Sequence, residues 1–256
     1  VYERLDRTVG ALRAAAGPEV LTVVVADHGF GGAGTGVVHL NNWLAENGYL
    51  RFRPHTQSLM KRLALRVVPV RWRGRLFRMF QGLAESAESK SRFGGIDWEN
   101  TRAWSEELNY FPSVRINLAG RDPQGLVQPE DYTKSVAELC AALEAYPAVH
   151  RARPRADVFS GEHVERAPDI IVDLALEDGY SHSCLRSRGG PAFRRLRPEE
   201  YLGGKERGMT GNHRPLGVCF LSTPCDASQC SLADIAPTIL AHLGVPAPSM
   251  DGHALL

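Results

Sequence analysis

The sequence has little that would tie it to a membrane, to nucleic acid or to an oxidising compartment. No run approaches the roughly 20 consecutive apolar residues that a membrane-spanning helix needs, so a transmembrane segment is not expected. Charge of one sign is missing as well. Thirty Lys and Arg stand against 29 Asp and Glu, and a net charge of +1 gives no general attraction to a nucleic acid duplex or an anionic membrane. Cysteine is scarce: Cys140, Cys184, Cys219, Cys225 and Cys230 are odd in number and irregular in spacing. Such a set makes no disulfide framework and points to reduced thiols, hence a cytoplasmic protein. There is no internal repeat, no low-complexity segment and no visible secretory leader. The chain opens at Val1 inside a helical pattern, and the expectation is that residues precede it.

What is present is ample. The 256 residues are 43% hydrophobic and 23% charged, enough to bury a sizeable core in one large domain or two small ones. Val1, Leu5, Val9 and Leu12 recur at helical spacing until Gly17-Pro18. Residues 20–26 form a β-branched apolar run without polar alternation, which is how a strand buried on both faces of a parallel sheet reads. It ends in Asp27-His28-Gly29, followed by a Gly-rich stretch to Gly36 that reads as a loop, and then a helix over about 40–47 closed by Gly48. Strands are expected at 113–118, 168–174 and 217–222, and helices at 131–145 and 234–243. Strands alternating with helices predict an α/β fold with a largely parallel sheet flanked by helices.

Residues 51–92 differ from the rest. Eleven Lys and Arg face only Glu85 and Glu88, and the apolar positions suit two amphipathic helices broken near Pro69. This reads as a basic helical insertion over a main domain made of 1–50 and 93–256. A solvated cap, guidance of an anionic substrate and contact with an acidic surface all fit its composition.

Two segments carry chemistry. Asp27-His28 places a carboxylate and an imidazole at the carboxyl end of a buried strand, where open α/β sheets bind their ligands. Neighbours along a strand point to opposite faces, but past the strand end Gly29 frees the backbone so that both can converge on one ion. Oxygen plus nitrogen ligation suits zinc, with manganese or iron as alternatives; an Asp cap beside a hydrogen-bonded His is the other reading. Gly211-Asn212-His213-Arg214-Pro215 is the second segment, in which a His between a flexible Gly and a stiff Arg-Pro can be held toward a cleft. Gly29-Phe30-Gly31-Gly32-Ala33-Gly34 also matches a dinucleotide-binding fingerprint. Against that, Asp27 would repel a pyrophosphate, and no acidic strand end follows about 20 residues later. No Gly-Lys-Ser/Thr follows either, so a P-loop is excluded.

In order along the chain, residues 23–30 (VVVADHGF), 39–50 (HLNNWLAENGYL), 115–121 (RINLAGR), 125–127, 166–171 (RAPDII), 211–215 (GNHRP), 234–240 (DIAPTIL) and 250–252 (MDG) form a series. Together they resemble the alkaline phosphatase superfamily, in particular its type I phosphodiesterase/nucleotide pyrophosphatase branch. The resemblance runs nearly the whole length, with 51–92 least typical. It implies a two-metal site, usually two zinc ions, at which a small phosphate ester is hydrolysed. Asp27 and His28 would bind one metal and His213 the other. It also implies a Thr or Ser nucleophile and further ligands in a segment expected upstream of Val1, so the chain resembles the C-terminal half of such an enzyme. Thr35 and Thr210 lie near the ligand segments, yet neither opens a helix after a strand as that nucleophile should. His39, His55, His150, His163, His182, His242 and His253 match no ligand position, and Cys225 with Cys230 read as inert thiols. With strands missing, an open sheet edge and exposed apolar surface are expected. A non-catalytic binding module of the same fold is the alternative function.

Overall fold

The chain is described by a computed structural model over residues 1–53, 93–187, 190–200, 210–225 and 230–256; most of the basic stretch, 54–92, with its expected helices, lies outside the described residues. Two compact units emerge, Gly32–Asn212 and a second made of Val1–Gly31 with His213–Leu256.

In Gly32–Asn212 one sheet is built from β3 (Ala103–Trp104), β4 (Ser113–Ile116), β5 (Val149–Pro154) and β6 (Ile170–Leu174), in the order β3-β4-β6-β5 with every pairing antiparallel. Helix α3 (Tyr132–Glu144) packs across it and buries Val136, Leu139, Cys140 and Leu143, the apolar stripe of a 3.6-residue period. The strands expected at 113–118 and 168–174 and the helix at 131–145 are all present. Their predicted parallel arrangement is not. Strand–helix–strand text does set β4 and β5 running the same way, as a crossover requires. However, β6 returns between them and pairs antiparallel with both. Chain order carries no record of that insertion.

A second sheet centres on β2 (Gly29–Val38), with the order β10 (Gly211–Arg214), β2, β8 (Tyr180–Cys184), β7 (Leu176–Glu177), and β9 (Phe193–Arg195) also against β2. Among the registered pairings β2 with β8 is parallel. β7 and β8 form a hairpin whose turn residues Asp178 and Gly179 both have positive φ, the geometry that matches strand twist. β2 corrects the expected Gly-rich loop: its small residues leave room for Tyr180, His182 and Phe193 to lie over an extended backbone. Propensity disfavours glycine in strands, but cross-strand packing overrides it here.

Helix α2 (Leu40–Glu46) buries Leu40, Trp43 and Leu44 and ends before Gly48, which has a φ of 77°. Its first turn is held by a distant carboxylate. The Asn41 N–H donates to Glu107 Oε1 (3.0 Å), and Ser187 gives Glu107 both its hydroxyl (2.6 Å) and its N–H (2.7 Å). Negative charge at a helix N-terminus is favourable. Burial pushes the Glu107 carboxyl above its ordinary range, against the hydrogen bonds from Ser187 and Asn41. Asn41 also exchanges hydrogen bonds with the Ser105 backbone, donating at 2.8 Å and accepting at 2.7 Å.

Asp169, fully buried ahead of β6, is the hub of this unit. Arg121 grips it with two parallel hydrogen bonds (2.7 and 2.8 Å); Arg155 (3.0 Å), the Tyr132 hydroxyl (2.8 Å) and the Ile116 N–H (2.7 Å) complete the shell. Arg121 also donates to the Ile116 carbonyl and Arg155 to Glu165. Burial alone would raise the Asp169 carboxyl, but Arg121, the Ile116 N–H and Tyr132 hold it below the ordinary carboxylate value.

The other unit contains α1 (Tyr2–Ala16), β1 (Val23–Val25), β11 (Cys219–Leu221) and α4 (Ile235–His242). β1 pairs antiparallel with β11, Val25 facing Cys219. The expectation of a strand buried on both faces is corrected. Val24 and Val25 are 37% and 43% exposed, and β11 is the one partner of β1 among the described residues. Helix α1 buries none of its residues. Order in this unit comes from Asp234, 2% exposed, which accepts the N–H groups of Ser231 (2.7 Å) and His253 (2.9 Å) in a reciprocal capping box. Thr238 donates its hydroxyl to the Asp234 carbonyl (2.6 Å) and takes the Leu255 N–H (3.0 Å), tying the C-terminal residues to α4.

Replacing Asp169 with Ala removes the buried carboxylate that Arg121 and Arg155 share, leaving them only Asp122 and Glu165, and unfolding in urea should show a loss of about 3–5 kcal/mol. The acid limb follows from the same carboxyl. Its folded pKa is depressed, so its stabilisation is fully present above the unfolded value of about 3.9 and disappears as pH falls through the lower folded value. Melting curves between pH 6 and pH 2 should therefore show a steep acid loss in the native chain and a shallower one in Asp169→Asn.

Candidate functional site

Asp27 and His28 stand between β1 and β2, and His213 stands in β10. All three belong to the unit made of Val1–Gly31 and His213–Leu256. The structure brings together the three residues read from sequence as ligands, although they come from segments nearly 200 residues apart. The imidazole rings of His28 and His213 stack with centroids 4.0 Å apart and an interplanar angle of 10°. His28 Nε2 lies 3.5 Å from Asp27 Oδ1.

Two glycines make this approach possible. A methyl group on Gly29 would overlap the carbonyl oxygen of Leu216, and one on Gly217 would overlap that of Ala26. The chain around Asp27-His28 therefore lies backbone to backbone against 214–217, and His28 reaches His213. The Ala26 N–H donates to the Val218 carbonyl at 2.9 Å, continuing the β1–β11 ladder to the edge of the site.

The donor chemistry suits a divalent cation. His28 Nδ1 is 2.7 Å from the Gly29 carbonyl oxygen, a contact in which Nδ1 carries the hydrogen and donates it. A neutral ring so held has a bare lone pair on Nε2, the arrangement that backbone carbonyls impose on metal-binding histidines. In that form Nε2 faces the Asp27 carboxylate oxygen; with the ring protonated the same contact is an ion pair. Two donors on one tetrahedral zinc, each at about 2.0–2.2 Å, lie about 3.3–3.6 Å apart, which matches the Asp27–His28 separation. His213 stacks beside His28 rather than closing the set, and among the described residues no group of three donors is in ligating geometry. The Asp27 side chain is 73% exposed and remains available to an ion from solution. A cavity of about 250 Å³ opens beside it, bordered by Asp27, Leu216, Cys219 and Cys230.

Sequence reading missed one neighbour. Arg214, taken only as a stiffener of the His213 segment, lays its guanidinium against Gly31, adding a cation close to both candidate ligand segments. The glycines alternating along β2 were the available signal. The segment 211–215 is strand β10 over its first four residues.

The remaining histidines that the structure describes in detail have structural partners. His39 Nδ1 bonds the Leu185 carbonyl (2.8 Å) while its Nε2 accepts from Arg194 (3.2 Å). His182 lies edge-on to Phe193, with burial lowering its pKa, and His253 contacts Asp234 at 3.1 Å. Thr35 is inside β2, its hydroxyl receiving Arg195 at 3.2 Å, and Thr210 gives its carbonyl to the Ala33 N–H. Neither opens a helix. The dinucleotide fingerprint at 29–34 is likewise extended strand and caps no helix, so the pyrophosphate-binding turn of that motif is not formed. In Gly32–Asn212 a cavity of about 400 Å³ is walled by Phe93, Trp98 and Trp104. Its Asn117 amide is committed to the carbonyls of Trp98, Thr101 and Gln124.

A family model described as type I phosphodiesterase / nucleotide pyrophosphatase matches residues 1–208. Asp27 and His28 fall within that stretch and His213 just beyond it. No curated protein and no solved structure matches the chain.

Gly29→Ala tests the backbone approach that forms the site. The added methyl must displace the 214–217 segment, an overpacking cost of about 1–3 kcal/mol, which urea unfolding of the variant should register. Histidine proton resonances should report the parting of the His28 and His213 rings, through loss of their mutual ring-current shifts.

Proposed function

Because the chain belongs to the type I phosphodiesterase/nucleotide pyrophosphatase family, we propose that it serves a metal-dependent phosphohydrolase acting on phosphodiesters or nucleotide pyrophosphates, with Asp27, His28 and His213 as metal ligands. The observation that carries this reading is the placement of His28, its Nδ1 held by the Gly29 carbonyl and its Nε2 3.5 Å from the Asp27 carboxylate. Two zinc ions are the proposed complement, with manganese as the alternative. Held by these residues, paired cations would supply stabilisation of the attacking and leaving oxygens of an in-line displacement at phosphorus.

The chain's own residues do the rest of what is assigned to it. Asp27 offers an anionic oxygen at the strand end. The Gly29 carbonyl takes the hydrogen of His28 Nδ1, which leaves Nε2 as the nitrogen directed to a ligand. His213 stacks on the His28 ring. Arg214 adds positive charge where an anionic substrate would approach. This reading assigns the nucleophile to no residue of this chain.

Zinc titration of the chain by calorimetry is the direct test. Native protein should bind zinc, and Asp27→Ala and His213→Ala should each weaken binding by more than the roughly 10–100-fold that outer-shell changes cause. Equal affinity in all three proteins would defeat the ligand assignment. Where the protein hydrolyses bis(p-nitrophenyl) phosphate, the same substitutions should abolish that activity, and chelation should do so reversibly.

A further inference from the structure

The five cysteines divide by environment. Cys140 and Cys184 are buried in Gly32–Asn212, where loss of water pushes the Cys140 thiol up to about 11 and the Cys184 thiol well above the ordinary range. Such thiols are poor nucleophiles and are shielded from oxidants. The other three, Cys219, Cys225 and Cys230, are partly exposed and fall within twelve residues of each other.

The fold gathers these three. The Cys219 thiol is in hydrogen-bonding contact with Cys230, and Cys225 lies close enough to act on it through charge. Cys219 and Cys230 border the same cavity of about 250 Å³, alongside Asp27. Both are held by ordered structure. Cys219 sits in β11 opposite Val25, and Cys230 directly precedes Ser231, which opens the capping box of Asp234. A three-thiol metal knuckle is not what the geometry offers, since among the described residues no three donors could close on an ion. A pair of accessible sulfurs already in contact is suited instead to two-electron chemistry with each other.

We propose that Cys219 and Cys230 form a redox-active dithiol that peroxides convert to an intramolecular disulfide. The Cys230 thiolate attacks one peroxide oxygen; an S–O bond forms, the O–O bond breaks, and the departing hydroxide takes up a proton to become water. The Cys219 sulfur then attacks the Cys230 sulfur. The S–S bond forms, the S–O bond breaks, and the hydroxyl leaves as water with the proton that Cys219 releases. In sum, two thiols and one hydrogen peroxide give one disulfide and two waters, with two electrons passing from sulfur to oxygen. The order of attack follows from the contact between the thiols. Burial and the neighbouring Cys230 push the Cys219 thiol up, so the step is written with Cys219 as the resolving sulfur. The product would clip β11 to the entry of α4, beside the Asp27 loop. This proposal is independent of any metal.

The test is peroxide oxidation of the native chain followed by alkylation and peptide mapping. The expected product is monomeric, 2 Da lighter, retains three of its five thiols and carries the 219–230 link; dithiothreitol reverses it. Cys219→Ser and Cys230→Ser should each abolish that link, whereas Cys225→Ser and Cys140→Ser should leave it. Because the contact is made by the fold, formation of the link in urea should be at least tenfold slower than in native protein. A native chain that keeps all five thiols, a link that maps to Cys225 or between two chains, or a rate unchanged by urea would overturn the proposal.

Discussion

A single buried carboxylate organises the larger unit. Asp169 receives five hydrogen bonds, two of them from Arg121 in the bidentate geometry that suits a guanidinium and a carboxylate. Those donors come from β4, from the turn after it, from the first residue of α3 and from the segment after β5. The sheet, its covering helix and its connections therefore meet at one charge. A buried anion so well satisfied contributes less through net ion-pair energy than through the cost of every arrangement that would leave it unpaired. The antiparallel placement of β6 between β4 and β5 brings Asp169 to that meeting point.

The smaller unit uses a different device, since it has little apolar interior. Of its large hydrophobic side chains Leu255 is the one buried, while Phe220, Leu216 and Leu12 are 64%, 86% and 66% exposed. Main-chain contact and polar anchoring take the place of a core: the ladder of β1 with β11, the Asp234 capping box, and the close backbone passage that Gly29 and Gly217 allow. The exposed apolar surface expected from the sequence is thus present. The candidate site sits at one such close main-chain passage. Polar side chains held by backbone geometry keep their direction without burial, and a ligand entering from solvent requires that exposure.

The residues that carried the family resemblance divide into two kinds once their partners are known. Asp27 lies beside His28, whose ring stacks on that of His213. Asn41, Arg121, Asp169 and Asp234 are equally polar and stood in equally recognisable motifs, yet each has its hydrogen-bonding capacity spent inside the fold. Motif text alone does not separate these roles, because a carboxylate that caps a helix and one that binds a cation are the same residue type at the same kind of strand or helix end.

Local pattern was enough for the helices α1 to α4 and for the presence of β4 and β6, and it singled out Asp27, His28 and His213 as candidates, because hydrophobic period, terminal glycines and strand-end polar pairs are properties of adjacent residues. Strand direction, the extended state of residues 29–38 and the exposure of β1 were decided by tertiary structure. Each depends on which distant segment lies alongside: β6 between β4 and β5, Tyr180 and His182 over the glycines of β2, β11 beside β1. The same holds for the contact between Cys219 and Cys230, two thiols that spacing alone gave no reason to pair. Sequence determines what each segment can do, and cross-strand neighbours, supplied by loops of dozens of residues with no periodic signal of their own, select among those possibilities.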